Sequence, residues 1–146
     1  DERKSTFGFA FFLGSAAFTW SSKKQAIVTL STCEAEYVAK NSTVCHATWL
    51  RNLLKYLGFP QENSTEIFVD NRLAIALAKN PVYHERSKHI DTRYHFIREQ
   101  VKRNEVELVY CKSNKQVADI FTKPLKHDAF GRLKIMLGMK TNGNWV

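Results

Sequence analysis

Three carboxylates in this 146-residue chain stand where folding does not ask for a charge: Glu36 just inside a helix start, Asp70 at the end of an apolar strand, and Asp119 where the last helical segment begins. Hard oxygen ligands suit Mg2+, and two such ions about 3.5–4 Å apart stabilise both the attacking water and the leaving oxygen in phosphodiester hydrolysis. Each residue also has a plainer reading. Glu36 fits a solvated helix face about as well as a site. Asp119 could serve only the helix dipole, worth about 0.3–1 kcal/mol. Asp70 is the strongest of the three, because an ionised group closing the apolar run Ile67, Phe68 and Val69 is costly unless it is exposed or bound.

Glu34 competes with Glu36, and at roughly 100° per residue the two differ by about 200° around a helix, so they cannot both face one site. Ser31 and Glu34 have capping-box spacing, which gives Glu34 a structural task and leaves Glu36 for chemistry.

The elements that must position these groups follow from periodicity. Phe7, Phe9, Phe11 and Leu13 alternate with smaller residues before Gly14, a strand and turn; Ala17 to Ser21 supplies the return strand, and Ala26 to Leu30 a third. A long helix over Thr32 to Leu57, stopped by Gly58 and Pro60, is expected to pack flat on a sheet. Ile67 to Val69 reads as a strand and Leu73 to Ala78 as a short helix halted near Pro81. Ser87 to Arg103 reads as a basic amphipathic helix, with Ile90, Tyr94, Ile97 and Val101 on one side. Val106 to Tyr110 is a last strand, and Val117 to Leu137 reads as helix interrupted by Pro124. Strands first and alternation afterwards give an α/β fold with mixed strand directions. Trp20, Trp49 and the aromatic first strand are expected in the core, not as base-stacking platforms.

A hydrophobic content of 44% suits one domain with its own core, read as residues 1–139 with a polar tail at 140–146. The formal charge of +8 favours a polyanionic partner. No apolar run approaches the roughly 20 residues of a spanning helix, so a membrane partner is not expected and an intracellular, soluble protein is. Cys33, Cys45 and Cys111 form no CxxC pair and are read as reduced structural thiols. His84, His89 and His95 lack the pairing of a zinc site. The first residue is Asp1, and a charged run leads straight into a strand pattern, so the chain reads as a piece of something longer.

The residue strings add a resemblance. RKST at Arg3–Thr6, WSSKKQ at Trp20–Gln25, STCEAEYVA at Ser31–Ala39, VDN at Val69–Asn71, AIALAKNP at Ala74–Pro81, KHID at Lys88–Asp91, RYHFIRE at Arg93–Glu99 and ADIFTKPL at Ala118–Leu125 occur in the order found in copia-type retrotransposon ribonuclease H. The chain resembles that family from about Arg3 to Gly138.

The resemblance implies a ribonuclease H-like α/β fold, a five-stranded mixed sheet flanked by helices, following reverse transcriptase in the Pol polyprotein. It implies hydrolysis of the RNA strand of RNA–DNA hybrids during reverse transcription with two Mg2+ ions, or Mn2+ in their place. The family's metal carboxylates fall on Glu36, Asp70 and Asp119. A fourth, on a first strand in the middle of the sheet, normally precedes the RKST string by several residues. Without that strand two neighbours lose ladder partners, and an inactive, poorly stable fragment is expected.

Lys23, Lys24 and Lys88, with Asn71, Ser113 and Asn114, are the expected nucleic-acid contacts, the last two standing where many relatives carry a loop histidine. Recognition would run through backbone shape and 2′-hydroxyls. Lys102 and Arg103 read as cations suiting a helix end. Implied partners are the hybrid and the reverse transcriptase domain of the same polyprotein, in a cytoplasmic virus-like particle or the nucleus. The alternative is a catalytically dead remnant that keeps a nucleic-acid-binding surface.

Overall fold

In the computed structural model the described residues are 4–26, 28, 32–79 and 88–139, with the side chains of residues 33, 77 and 88–91 outside the description. They form two compact units, one from Asp1–Thr29 with Lys112–Val146 and the other from Leu30–Cys111.

The first unit is built on a hairpin of β1 (Thr6–Leu13) and β2 (Ala16–Lys24), paired antiparallel from Thr6 opposite Lys24 to Leu13 opposite Ala16. Gly14, at φ 65°, opens the two-residue turn in the left-handed region where a side chain would be strained. The register shifts between Phe11 and Phe12, leaving Phe18 as the extra residue of a bulge. Large aromatics on one face of β1 pack together, Phe9 and Phe11 meeting edge to face at 5.5 Å. Ala26 and Val28 belong to no strand, and the rest of the expected third strand lies outside the described residues.

The segment expected as one proline-interrupted helix is two separate pieces. Val117–Phe121 is a short 3-10 turn, and α4 (His127–Met136) begins only after Pro124. Proline cannot donate a backbone hydrogen bond and pushes its predecessor away from helical geometry, so the turn ends on itself, with the Asp119 carbonyl accepting from Thr122 N at 3.1 Å. Leu133 and Leu137 are buried, and Ala17 N donates to Leu137 O at 3.2 Å, which ties the end of α4 to the hairpin.

The second unit holds α1 (Thr32–Tyr56), β3 (Thr65–Val69), α2 (Arg72–Lys79), α3 (Lys88–Lys102) and β4 (Val106–Tyr110). β3 and β4 pair in parallel, Thr65 opposite Val106 through Val69 opposite Tyr110, and Cys111 N extends the ladder to Val69 O at 2.9 Å. A parallel pair needs a crossover, which α2 and α3 supply. Asn104, in the left-handed region at φ 58°, turns the chain from α3 into β4.

On α1 the inward stripe runs Tyr37, Lys40, Val44, Ala47, Arg51, the alternating three- and four-residue spacing of one helix face. Val44 and Ala47 are buried, as is Ile97 of α3, and the Tyr37 ring lies on that of Tyr94. The helix thus packs on α3 and also touches β4 of the sheet. Trp49 is 56% exposed and Trp20 59%, so neither is the core residue its apolar character suggested. Trp49 sits off the buried stripe, and Trp20 stands on the outer side of β2, where Ala17, Thr19 and Ser21 face the other way.

Among the described residues the strands form two two-stranded sheets flanked by helices, a mixed α/β arrangement. No described helix is long and apolar enough to cross a membrane.

Candidate active site

Asp70 follows the last residue of β3 and is exposed, at the carboxyl end of a parallel strand, the edge of an open α/β sheet where ligands bind. Asn71 caps α2: its Oδ1 accepts from Leu73 N at 2.9 Å and Ala74 N at 3.4 Å. The other end of the same amide reaches α1, where Asn71 Nδ2 donates to Glu36 Oε2 at 2.9 Å. Glu36, distant in sequence, is thereby brought to the strand end that carries Asp70.

Glu36 sits one turn before Lys40, whose ammonium approaches the same Oε2 at 3.5 Å. The Lys40 side chain is only 12% exposed while that of Glu36 is 42% exposed, so the carboxylate stands at the rim with its cation behind it. Oε1 of Glu36 accepts no hydrogen bond from the described residues. Beside the site, the Arg72 guanidinium stacks over the exposed Tyr110 ring at 4.5 Å.

Asp119 lies in the other unit, on the Val117–Phe121 turn. That turn is pinned to the hairpin at two points. Ser22 Oγ donates to Phe121 O at 2.6 Å, and at Gly8 a β-carbon would stand 2.7 Å from Phe121 Cβ, so only glycine lets the turn approach β1 this closely. The Asp119 carboxylate pairs with Lys123 at 2.8 Å and is 19% exposed. A five-residue 3-10 turn has little dipole to satisfy, which weakens the plainer reading of Asp119 as a helix-start charge.

The remaining expected contacts are distributed as follows. Lys23 and Lys24 are exposed at the end of β2, and Ser113 and Asn114 are exposed in a 3-10 turn at Ser113–Lys115. Lys88 opens α3, its side chain outside the description. Arg103 pairs with Glu99 at 2.6 Å, in keeping with a structural role for that cation. Cys45 and Cys111 are free thiols.

Sequence reasoning missed the two lysines held by the candidate carboxylates, although both pairs have i,i+4 spacing, which is readable in a sequence: Glu36 with Lys40, Asp119 with Lys123. It also missed Arg72, whose partner Tyr110 is far away in the chain.

Among the described residues no group of three or more His, Cys, Asp or Glu side chains is gathered to hold a metal ion. Mg2+ does not require such a cage, since it keeps several waters and binds through one or two carboxylates plus substrate phosphates. An exposed Asp70 next in the chain to Asn71, and a Glu36 held by Asn71 whose Oε1 accepts no hydrogen bond from the described residues, fit that donor chemistry.

No protein-family model matches the chain. No solved structure matches it either. Sequence relatives do. The retrovirus-related Pol polyprotein from transposon TNT 1-94 of Nicotiana tabacum is 40% identical over 142 residues, covering 97% of this chain and 11% of its own length. Those from transposons RE2 and RE1 of Arabidopsis thaliana are each 40% identical over 139 residues, 95% of this chain and 10% of theirs. The chain spans about a tenth of the length of the curated relatives it matches. Aligned almost end to end with one segment of these proteins, it matches a fragment of copia-type retrotransposon Pol polyproteins.

Proposed function

We propose that this chain is the ribonuclease H segment of a retrotransposon Pol polyprotein and hydrolyses the RNA strand of RNA–DNA hybrids with Mg2+. The observation that carries the reading is the tie between Asn71 and Glu36, which sets two acidic residues from separate elements at the carboxyl end of β3. Two further observations support it. Among the described residues the strands form an antiparallel hairpin and a parallel pair flanked by helices, a mixed α/β arrangement compatible with a ribonuclease H-like fold. The net charge of +8 suits a polyanionic substrate.

In this reading Glu36 and Asp70 hold the cation, and Asp119 is the third carboxylate of the set. Bound Mg2+ would lower the pKa of a water and neutralise charge on the scissile phosphate. The protein's own part is placement. Asn71 and Lys40 keep Glu36 facing the strand end, while Gly8 and Ser22 set the turn that carries Asp119. Lys23, Lys24 and Lys88 track the phosphate backbones, with Ser113 and Asn114 as polar contacts. The reverse transcriptase domain of the same polyprotein would deliver the hybrid.

The test is cleavage of hybrid, RNA duplex and DNA duplex by this chain alone and joined to the upstream segment of a 40%-identical relative. Mg2+-dependent cutting confined to the RNA of the hybrid supports the reading. Salt-sensitive binding with no cutting in either form replaces it with the binding-only remnant.

A further inference from the structure

We infer that Asn71 is a positioning residue for Glu36, spending its side chain on the carboxylate's orientation and not on nucleic acid. This rests on the reading of Glu36 as a metal ligand and adds what holds it in place.

The hydrogen bonds fix which way the amide points. Two backbone N–H groups, Leu73 and Ala74, converge on one end of the Asn71 side chain, so that end is the carbonyl oxygen and the NH2 faces Glu36. Reversing the amide would set its oxygen against a carboxylate oxygen and its NH2 against two N–H donors. On the glutamate, both neighbours address the same atom: Oε2 receives Asn71 Nδ2 at 2.9 Å and Lys40 Nζ at 3.5 Å. Among the described residues no hydrogen bond reaches Oε1, where a cation would bind.

Few side chains can do both jobs. Aspartate would cap α2 equally well but would present an oxygen to Glu36. Serine and threonine also cap, yet their single hydroxyl is too short to span to α1. Asparagine is the short residue with an acceptor and a donor on one rigid plane, and here each end is used. Outer-shell partners of this kind orient the ligand and tune metal affinity.

The experiment is Mn2+ binding to the whole chain without nucleic acid, followed by electron paramagnetic resonance, for the parent, Asn71→Ser, Asn71→Thr, Glu36→Gln and Asp70→Asn. Hybrid affinity in EDTA and the thermal midpoint are measured alongside. The serine and threonine variants should bind Mn2+ about 10-fold more weakly. They should keep the parent's midpoint, because the cap survives, and its hybrid affinity in EDTA. Unchanged Mn2+ affinity in both, with Glu36→Gln weakened, overturns the positioning role and leaves the metal reading intact. Loss of hybrid affinity in EDTA returns Asn71 to the nucleic-acid interface and likewise overturns it. A parent that binds no Mn2+, or Glu36→Gln and Asp70→Asn binding it as the parent does, overturns the metal reading and this inference with it.

Discussion

Arg51 Nε meets Glu105 Oε2 at 2.6 Å, joining the carboxyl-terminal half of α1 to the start of β4. The same guanidinium donates to Asn63 O at 2.7 Å, Gln61 O at 3.0 Å and Thr65 Oγ1 at 3.1 Å, so it also holds the approach to β3. Glu36 and Asn71 make the corresponding tie at the other end of β3. The helix from 36 to 51 covers about 22 Å and the strand path from 65 to 71 about 20 Å, so the two ties are matched in length.

Arg51→Met should therefore cost about 2–3 kcal/mol in urea unfolding, below the 3–5 kcal/mol of fully buried pairs because Glu105 keeps 40% of its side chain exposed. Arg51→Lys should recover less than half, since one ammonium cannot serve acceptors spread around a planar fork.

Gly8→Ala should destabilise by about 1–3 kcal/mol, because its methyl would meet Phe121 Cβ at 2.7 Å and the Ser21 carbonyl at 3.0 Å. The turn must move, and hybrid cleavage should fall with it. Gly131→Ala is the contrast: nothing stands within 4 Å, the site is helical, and a gain of about 0.5–1 kcal/mol is expected. Thermal melts of both variants check the pair.

Burial lowers the pKa of His46 below the usual 6.5. The unfolded chain then takes up a proton first as pH falls, so stability is complete above about 6.5 and declines as pH drops through the folded value. Melting midpoints from pH 7.5 to 5 should show this slope, and His46→Gln should reduce it.

Lys23→Ala and Lys24→Ala should each weaken hybrid binding without sequence preference and lower the slope of log affinity against log salt by roughly 1. Unchanged slopes would assign both lysines to a merely solvated strand end.

How much of this could be read in advance depended on whether a signal was local. β4 and the bounds of α1 follow from alternation and helical spacing, and Asp70 could be placed at a strand end because Ile67, Phe68 and Val69 announce that strand. Spacing names a face but not its partner. It could not tell that α1 would lie along α3, that Trp20 and Trp49 would stand exposed, or that one amide would serve both α2 and Glu36. The break at Pro124 was visible, yet the tight turn before it depends on Gly8 and Ser22, which stand in the opening hairpin, far upstream in the chain.

The most direct test of the central claim is Mg2+-dependent cleavage of an RNA–DNA hybrid by the upstream-extended chain, compared with its Asp70→Asn variant at equal hybrid affinity in EDTA. The variant should bind the hybrid as its parent does and leave the RNA uncut. Cleavage at the parental rate by Asp70→Asn would contradict it.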